Sequence, residues 1–299
     1  MASLIRQSRP AIVTVVTLVG LFGVLLAFQA ALSSGGNTKV AQSPEFFTWS
    51  AFASVSVVIY VQVFTRTVAL VRPPSTAVLV VSIVAYLLVA AVVFAMLTGY
   101  RIEGALETVP LAMRPLYVVA EIAAAPAVLG LWLTHARLQQ FDQQLSQWAE
   151  KSEALLAELM TSRANLGRCL AGLSFIASTG LINTAALRTA YLAHGVPSGK
   201  FPSSAVLLYG ASITTIVALI YVPAFLAWRE RVTHVIDMVY PTPTDARPTE
   251  EWTNGRARLR ELLGADTTIG RTLGTASGIL APLAVSFLGL YIPELQAGP

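Results

Sequence analysis

The amino-acid sequence predicts an all-α fold: a polytopic transmembrane helical bundle of six spans, a seventh that is kinked or re-entrant, and helical cytoplasmic extensions. Three observations carry this. Only 12% of the residues are charged and the mean hydropathy is +0.65, whereas soluble domains carry about 25% charged residues. Seven apolar runs reach the roughly 20 residues needed to cross a bilayer. Basic residues cluster in alternate connections, as the positive-inside rule expects.

The runs are Ala11–Leu32, Trp49–Val71, Thr76–Leu97, Leu111–Thr134, Cys169–Ala193, Ala205–Trp228 and Leu273–Ile292. They are continuous rather than alternating, which excludes β-barrel strands. The first has a rival reading as a signal peptide, with Arg6 and Arg9 before it and Ala30, Ala31 and Ser33 after it. Its length exceeds the usual apolar core of about 7–15 residues, so an uncleaved helix is expected. Connections carry breakers: Gly35, Gly36 and Pro44 after the first run, Pro73-Pro74 after the second, Pro197, Gly199 and Pro202 after the fifth.

Arg6, Arg9, Arg66, Arg72, Arg137, Lys151, Arg163 and Arg168 fall on one side of this threading, joined by seven arginines between Arg229 and Arg271. The other side has Lys39, Arg101, Arg114 and Lys200, with Glu103 and Glu107 beside the arginines. The N-terminus is therefore expected in the cytoplasm, and the C-terminus outside if the last run spans. Lys39, Lys151 and Lys200 are the only lysines. With the alanine richness, this suggests a high-GC bacterial coding sequence and hence a plasma (inner) membrane.

The chain divides into a four-helix membrane region (1–135), a heptad segment (136–168), spans five and six (169–228), an amphipathic segment (229–271) and the C-terminal apolar run (272–299). In the heptad segment Leu138, Phe141, Leu145, Trp148, Leu155 and Leu159 form a seam, and no proline interrupts it. Two helical extensions meeting near Lys151-Ser152, with Ser152 as a cap, are expected, or one long surface helix. The seam packs either on the protein's own second cytoplasmic segment or on another subunit, as an oligomer seam. In that second segment Pro241 and Pro243 end one helix, and Thr249 caps the next with Glu250 and Glu251 in its first turn. Arg256, Arg258 and Arg260 with Leu259, Leu262 and Leu263 suit a helix lying on anionic headgroups.

Polar groups inside the spans are the most informative. Glu121 lies within the fourth run, where an ionisable residue costs roughly 2.5–3.5 kcal/mol and needs a partner or water. Arg188 lies near the external end of the fifth run. Both fall on the order of 8–15 Å below the same boundary, so an ion pair between them is expected, with Asn183 and Thr184 extending a polar pathway. Pro126, Pro223 and Pro282 are candidate kinks or gates.

No catalytic constellation is present. There is no phosphate-binding Gly loop, no Gly-x-Ser-x-Gly elbow and no His-Glu-x-x-His. No predicted span contains an Asp, so an intramembrane aspartyl pair is excluded. One cysteine, Cys169, and three scattered histidines make no metal site. No cofactor, metal or nucleic-acid partner is expected. The expected partners are the lipid bilayer, further copies of the chain as a homo-oligomer, and a cytoplasmic protein. The leading functional expectation is a non-enzymatic oligomeric channel or permeability-altering protein. The alternatives are a sensor or scaffold that recruits a cytoplasmic partner, and a small-molecule secondary transporter.

Overall fold

The computed structural model describes residues 44–99, 113–145, 148–193, 195, 197–243, 247–265 and 277–288. Within them, every long apolar run is a helix. Helix α1 is Pro44–Thr67. Pro44 stands where its missing amide costs nothing, and Glu45 suits the helix dipole. A 3-10 turn, Val68–Leu70, precedes the double proline. Helix α2 is Thr76–Gly99, with the Ser75 hydroxyl accepting from the Val78 amide at 3.3 Å. Helices α3 (Met113–Leu145), α4 (Trp148–Ala193) and α5 (Ser203–Val239) follow. Then come α6 (Glu250–Leu263) and a shorter apolar helix, α7 (Ser277–Leu288).

Five helices, α1 to α5, are long and apolar enough to cross a membrane. The first predicted span, residues 11–32, lies outside the described residues, as do both ends of the seventh. Within the described part of that seventh run, α7 is one helix that contains Pro282 and packs on α4 and α5. The Ser174 hydroxyl is bonded to the Gly278 carbonyl. A Cβ added to Gly210 would fall 2.3 Å from Ser286 Oγ, so the missing side chain lets α5 and α7 approach closely.

Two packed clusters divide the bundle. In one, Trp49, Ala53, Val57 and Tyr60 of α1 are buried against Leu116, Tyr117 and Ala123 of α3 and Ile176 and Leu187 of α4. Gly172 admits Val63 there, since a Cβ would sit 2.9 Å from Val63 Cγ1. By contrast, α2 packs chiefly on α3 and exposes Val81, Leu87 and Leu88. Its window is only 6% buried, which is the face that lipid would cover.

The second cluster bears on three expectations. Helices α3, α4 and α5 have 33, 46 and 37 residues, or about 50, 69 and 56 Å at 1.5 Å per residue. Each outruns a hydrocarbon core of about 30 Å, and all three overrun at the basic end. First, α3 ends at Leu145 and α4 already begins at Trp148, so Ser152 lies inside α4 and does not cap it. No Gly or Pro marks these helix ends in the sequence, so their position was not legible.

Second, Leu138, Phe141, Leu155 and Leu159 are buried within the chain, against Trp228, Val232, Val235 and Ile236 of α5. The Trp228 indole donates to the Leu159 carbonyl at 3.0 Å and Arg231 Nε donates to the Leu138 carbonyl at 3.2 Å. These four positions are packed in the chain's own core, the first of the two alternatives for the seam. The side chains of Leu145 and Trp148 lie outside the described residues.

Third, α6 is held at both ends by the bundle, through contacts to α5 and α4. Thr249 caps it as expected, accepting from the Trp252 amide at 3.2 Å. At this start Arg256 pairs with Asp237 at 2.5 Å, and Trp252 Nε1 donates to the Pro241 carbonyl at 2.9 Å. At its far end Arg163 of α4 donates to the Leu263 carbonyl at 3.0 Å, and Arg163 stacks over Trp228. The helix therefore runs back along α5. It closes a small bundle with the extensions of α3, α4 and α5, which buries Leu263. Gly264, at φ 66°, ends it with paired amide bonds to Glu261 and Arg260.

Candidate functional site

A cavity of about 150 Å³ lies between α2, α3, α4 and α5. Its walls follow helical periodicity: Tyr86, Val89, Ala90 and Val93 from α2, and Leu116, Tyr117, Ala120, Glu121, Ala124 and Val128 from α3. Helix α4 contributes Leu173, Ile176, Ala177, Gly180, Leu181 and Thr184, and α5 contributes Tyr209, Ile213, Ile216, Val217 and Ile220. Tyr60 of α1 completes the floor. The i, i+3, i+4 spacing on four helices turns one stripe of each toward the same space.

Polar groups in this lining are few. Among the described residues, Glu121 is its one charged side chain, and no lysine, arginine or histidine lines it. Glu121 Oε1 is buried without a hydrogen-bond partner, and so is the Tyr209 hydroxyl. The Tyr86 hydroxyl is bonded to the main-chain carbonyl of Glu121. A carboxylate oxygen in apolar surroundings is strongly disfavoured unless something neutralises or solvates it. The site is thus largely apolar, walled by helices, and carries three unanswered polar atoms: Glu121 Oε1 and the hydroxyls of Tyr60 and Tyr209.

The expected pair of Glu121 with Arg188 does not form. Arg188 is buried at the end of α4, and its Nε donates to the Phe201 carbonyl at 2.9 Å. It thereby ties α4 to the turn at Ser198–Lys200. The cavity walls show why. Leu116 and Tyr117 share the cavity's one end with Thr184, and Val128 shares the other with Leu173. Interpolating along two antiparallel helices places Glu121 level with about Gly180, two turns or about 12 Å from Arg188. Sequence spacing gives a rough depth but not a side chain's direction.

Asn183 and Thr184, assigned to the same pathway, serve different places. Thr184 lines the cavity. Asn183 is fully buried against α1, where its amide donates to Ser56 Oγ of α1 at 2.5 Å and to the Thr179 carbonyl at 2.8 Å. The Ser56 hydroxyl in turn donates to the Phe52 carbonyl at 2.9 Å. This is a clamp between α1 and α4 rather than a path.

The prolines separate as well. Pro126 is buried within α3 beside the cavity residues Ala124 and Val128. Pro223 is exposed on α5, beyond the cavity residue Ile220. Pro282 is buried in α7, its carbonyl 3.4 Å from where a Gly210 Cβ would lie. Both α3 and α5 continue as helices through their prolines.

Tyr60, Tyr86, Tyr209 and Ser56 escaped the sequence reading. A tyrosine or serine in an apolar run is unremarkable by composition. The signal that could have found the tyrosines is phase: Tyr117 lies one turn from Glu121 on one face of α3, which marks that face as polar. Among the described residues, no group of three or more His, Cys, Asp or Glu could hold a metal ion.

No protein-family model, curated protein or solved structure matches this chain. The site's chemistry has to be read from its own residues.

Proposed function

We propose that the chain is a multi-pass plasma-membrane protein, N-terminus in the cytoplasm, that takes a small amphiphilic molecule into the cavity between α2 and α5. It binds or carries that molecule and catalyses no reaction. The single observation that carries this is the buried, unpartnered Glu121 carboxylate oxygen facing an otherwise apolar cavity. Such a combination of apolar lining and a few convergent polar groups is what small-molecule sites look like. Among the described lining residues no serine, cysteine, lysine or histidine stands with Glu121 as an activated nucleophile, which speaks for binding over catalysis.

The channel reading loses its main support, because Glu121 and Arg188 line no common path. What supports the orientation is that Arg66, Arg72, Arg137, Arg163 and Arg168, with the arginines from Arg229 to Arg260, all fall at one end of the bundle. Residues 11–32 would supply a sixth span and residues 273–292 a seventh.

A receptor is the second reading, and one observation favours it. Three of the cavity's helices, α3, α4 and α5, run without interruption into the bundle that α6 closes. Occupancy of the cavity would then be felt by a cytoplasmic partner.

The test uses the full chain in lipid nanodiscs and three probes of one shape: benzylamine, benzyl alcohol and benzoate. Saturable binding of at least one probe above empty nanodiscs, lost when Ala120→Phe fills the cavity, is the expected result. Binding that ignores Ala120→Phe in a variant that elutes and melts like the parent would contradict the proposal.

A further inference from the structure

We infer that the cavity selects a small amphiphilic amine, its ammonium group held by the Glu121 carboxylate and its apolar body by the walls of α2 and α5. This rests on the reading of the cavity as a binding site and narrows the ligand to one charge, one size and one shape.

Charge follows from the lining. Among the described residues, Glu121 is the one charged group there, its Oε1 is buried without a partner, and no basic side chain lines the cavity. An anion entering this space meets a like charge in a medium that screens poorly, and a neutral donor can bond the carboxylate but leaves its charge uncompensated. An ammonium supplies several donors at once and answers the charge as well. The Tyr209 hydroxyl oxygen, which also lacks a partner, lines the same cavity. The rings of Tyr86, Tyr117 and Tyr209 add faces that attract cations.

Size follows from the volume. About 150 Å³ matches the engineered apolar cavity of about 150 Å³ that binds benzene. A benzene-sized ring with a single amino group fills that volume, and the partly open wall leaves room for a small substituent beyond it. Shape follows from the asymmetry of the walls. Glu121 stands on α3, whereas Val89, Ala90, Val93, Ile213 and Ile216 on α2 and α5 are apolar. The amine end points to α3 and the hydrocarbon lies between α2 and α5.

The same three isosteric probes separate this inference from the reading beneath it. Benzylamine, a cation at neutral pH, is expected to bind nanodisc-embedded protein at one per chain and more tightly than benzyl alcohol, with benzoate weakest. Glu121→Gln should weaken benzylamine about tenfold or more, the loss of one charge-assisted hydrogen bond. It should leave benzyl alcohol within about twofold. Glu121→Asp keeps the charge and should bind benzylamine more tightly than Glu121→Gln, and Tyr209→Phe should weaken it about threefold. If Glu121→Gln does not fold, Glu121→Asp and Tyr209→Phe against the three probes still decide. Benzyl alcohol binding as tightly as benzylamine, or equal losses for Asp and Gln, would overturn the amine and leave the cavity standing. No probe responding to Ala120→Phe would overturn both.

Discussion

The Tyr86 hydroxyl on α2 is hydrogen-bonded to the main-chain carbonyl of Glu121 on α3. Helix α2 is otherwise apolar and little buried, so this bond is a polar anchor for it within the bundle. It also closes one wall of the cavity at the height of the carboxylate. Hydrogen bonds between membrane helices average about 0.6 kcal/mol and reach about 1.7. Tyr86→Phe keeps the ring and removes the bond. It should lower unfolding stability by about 1 kcal/mol in detergent and loosen α2, read as faster hydrogen exchange in residues 76–95.

The clamp between α1 and α4 makes a sharper prediction. Asn183 is fully buried and donates to Ser56. Asn183→Ala and Ser56→Ala should each destabilise, and the double variant should cost less than their sum by about 0.6 kcal/mol. Strict additivity in that cycle, measured by reversible unfolding, would show that the two side chains do not interact.

The contact of α5 with α7 depends on the absence of one methyl group. A Cβ on Gly210 would meet both Ser286 Oγ and Ser286 Cβ, at 2.3 and 2.6 Å. Gly210→Ala should therefore displace α7, with a loss of about 1–3 kcal/mol. Ser286→Ala should not rescue it, because its Cβ remains. Ser286→Gly should. Disulfide trapping between cysteines placed on α5 and α7 reads the displacement directly.

At the basic end, Gly264 has φ 66°, and a Cβ there would fall 0.9 Å from an Arg163 guanidinium nitrogen. Gly264→Ala meets both a left-handed backbone and the side chain that holds the end of α6. A loss of more than about 1 kcal/mol is expected. Protease cleavage between residues 240 and 264 should become faster, while the helices α1 and α2 keep their exchange protection.

Much of the fold was legible because helices declare themselves through period and breakers. The apolar runs that became α1 to α5, the heptad pattern of Leu138, Phe141, Leu155 and Leu159, and the Thr249 cap all follow from local rules. What was not legible depends on rotation and partners. Glu121 and Arg188 fall in the same half of their helices, yet one faces the cavity and the other a turn two helical turns away. The seam pattern is the same whether it packs on α5 or on a second chain, and only the tertiary fold chooses α5. The amphipathic stripe of α6 suits a membrane surface as well as a helix face, and only the contacts with Asp237, Pro241 and Arg163 fix its direction. Tyr86 and Tyr209 gain meaning only when four helices bring them around one carboxylate.

The cavity beside Glu121 is the centre of this account, and heavy-atom labelling of its occupant tests it most directly. In crystals of the full chain grown with 4-bromobenzylamine, the account predicts one bromine anomalous peak per chain, between α2 and α5, with density for the amine reaching Glu121. Bromine sites confined to the bundle's outer face, with the cavity empty or closed, would contradict it.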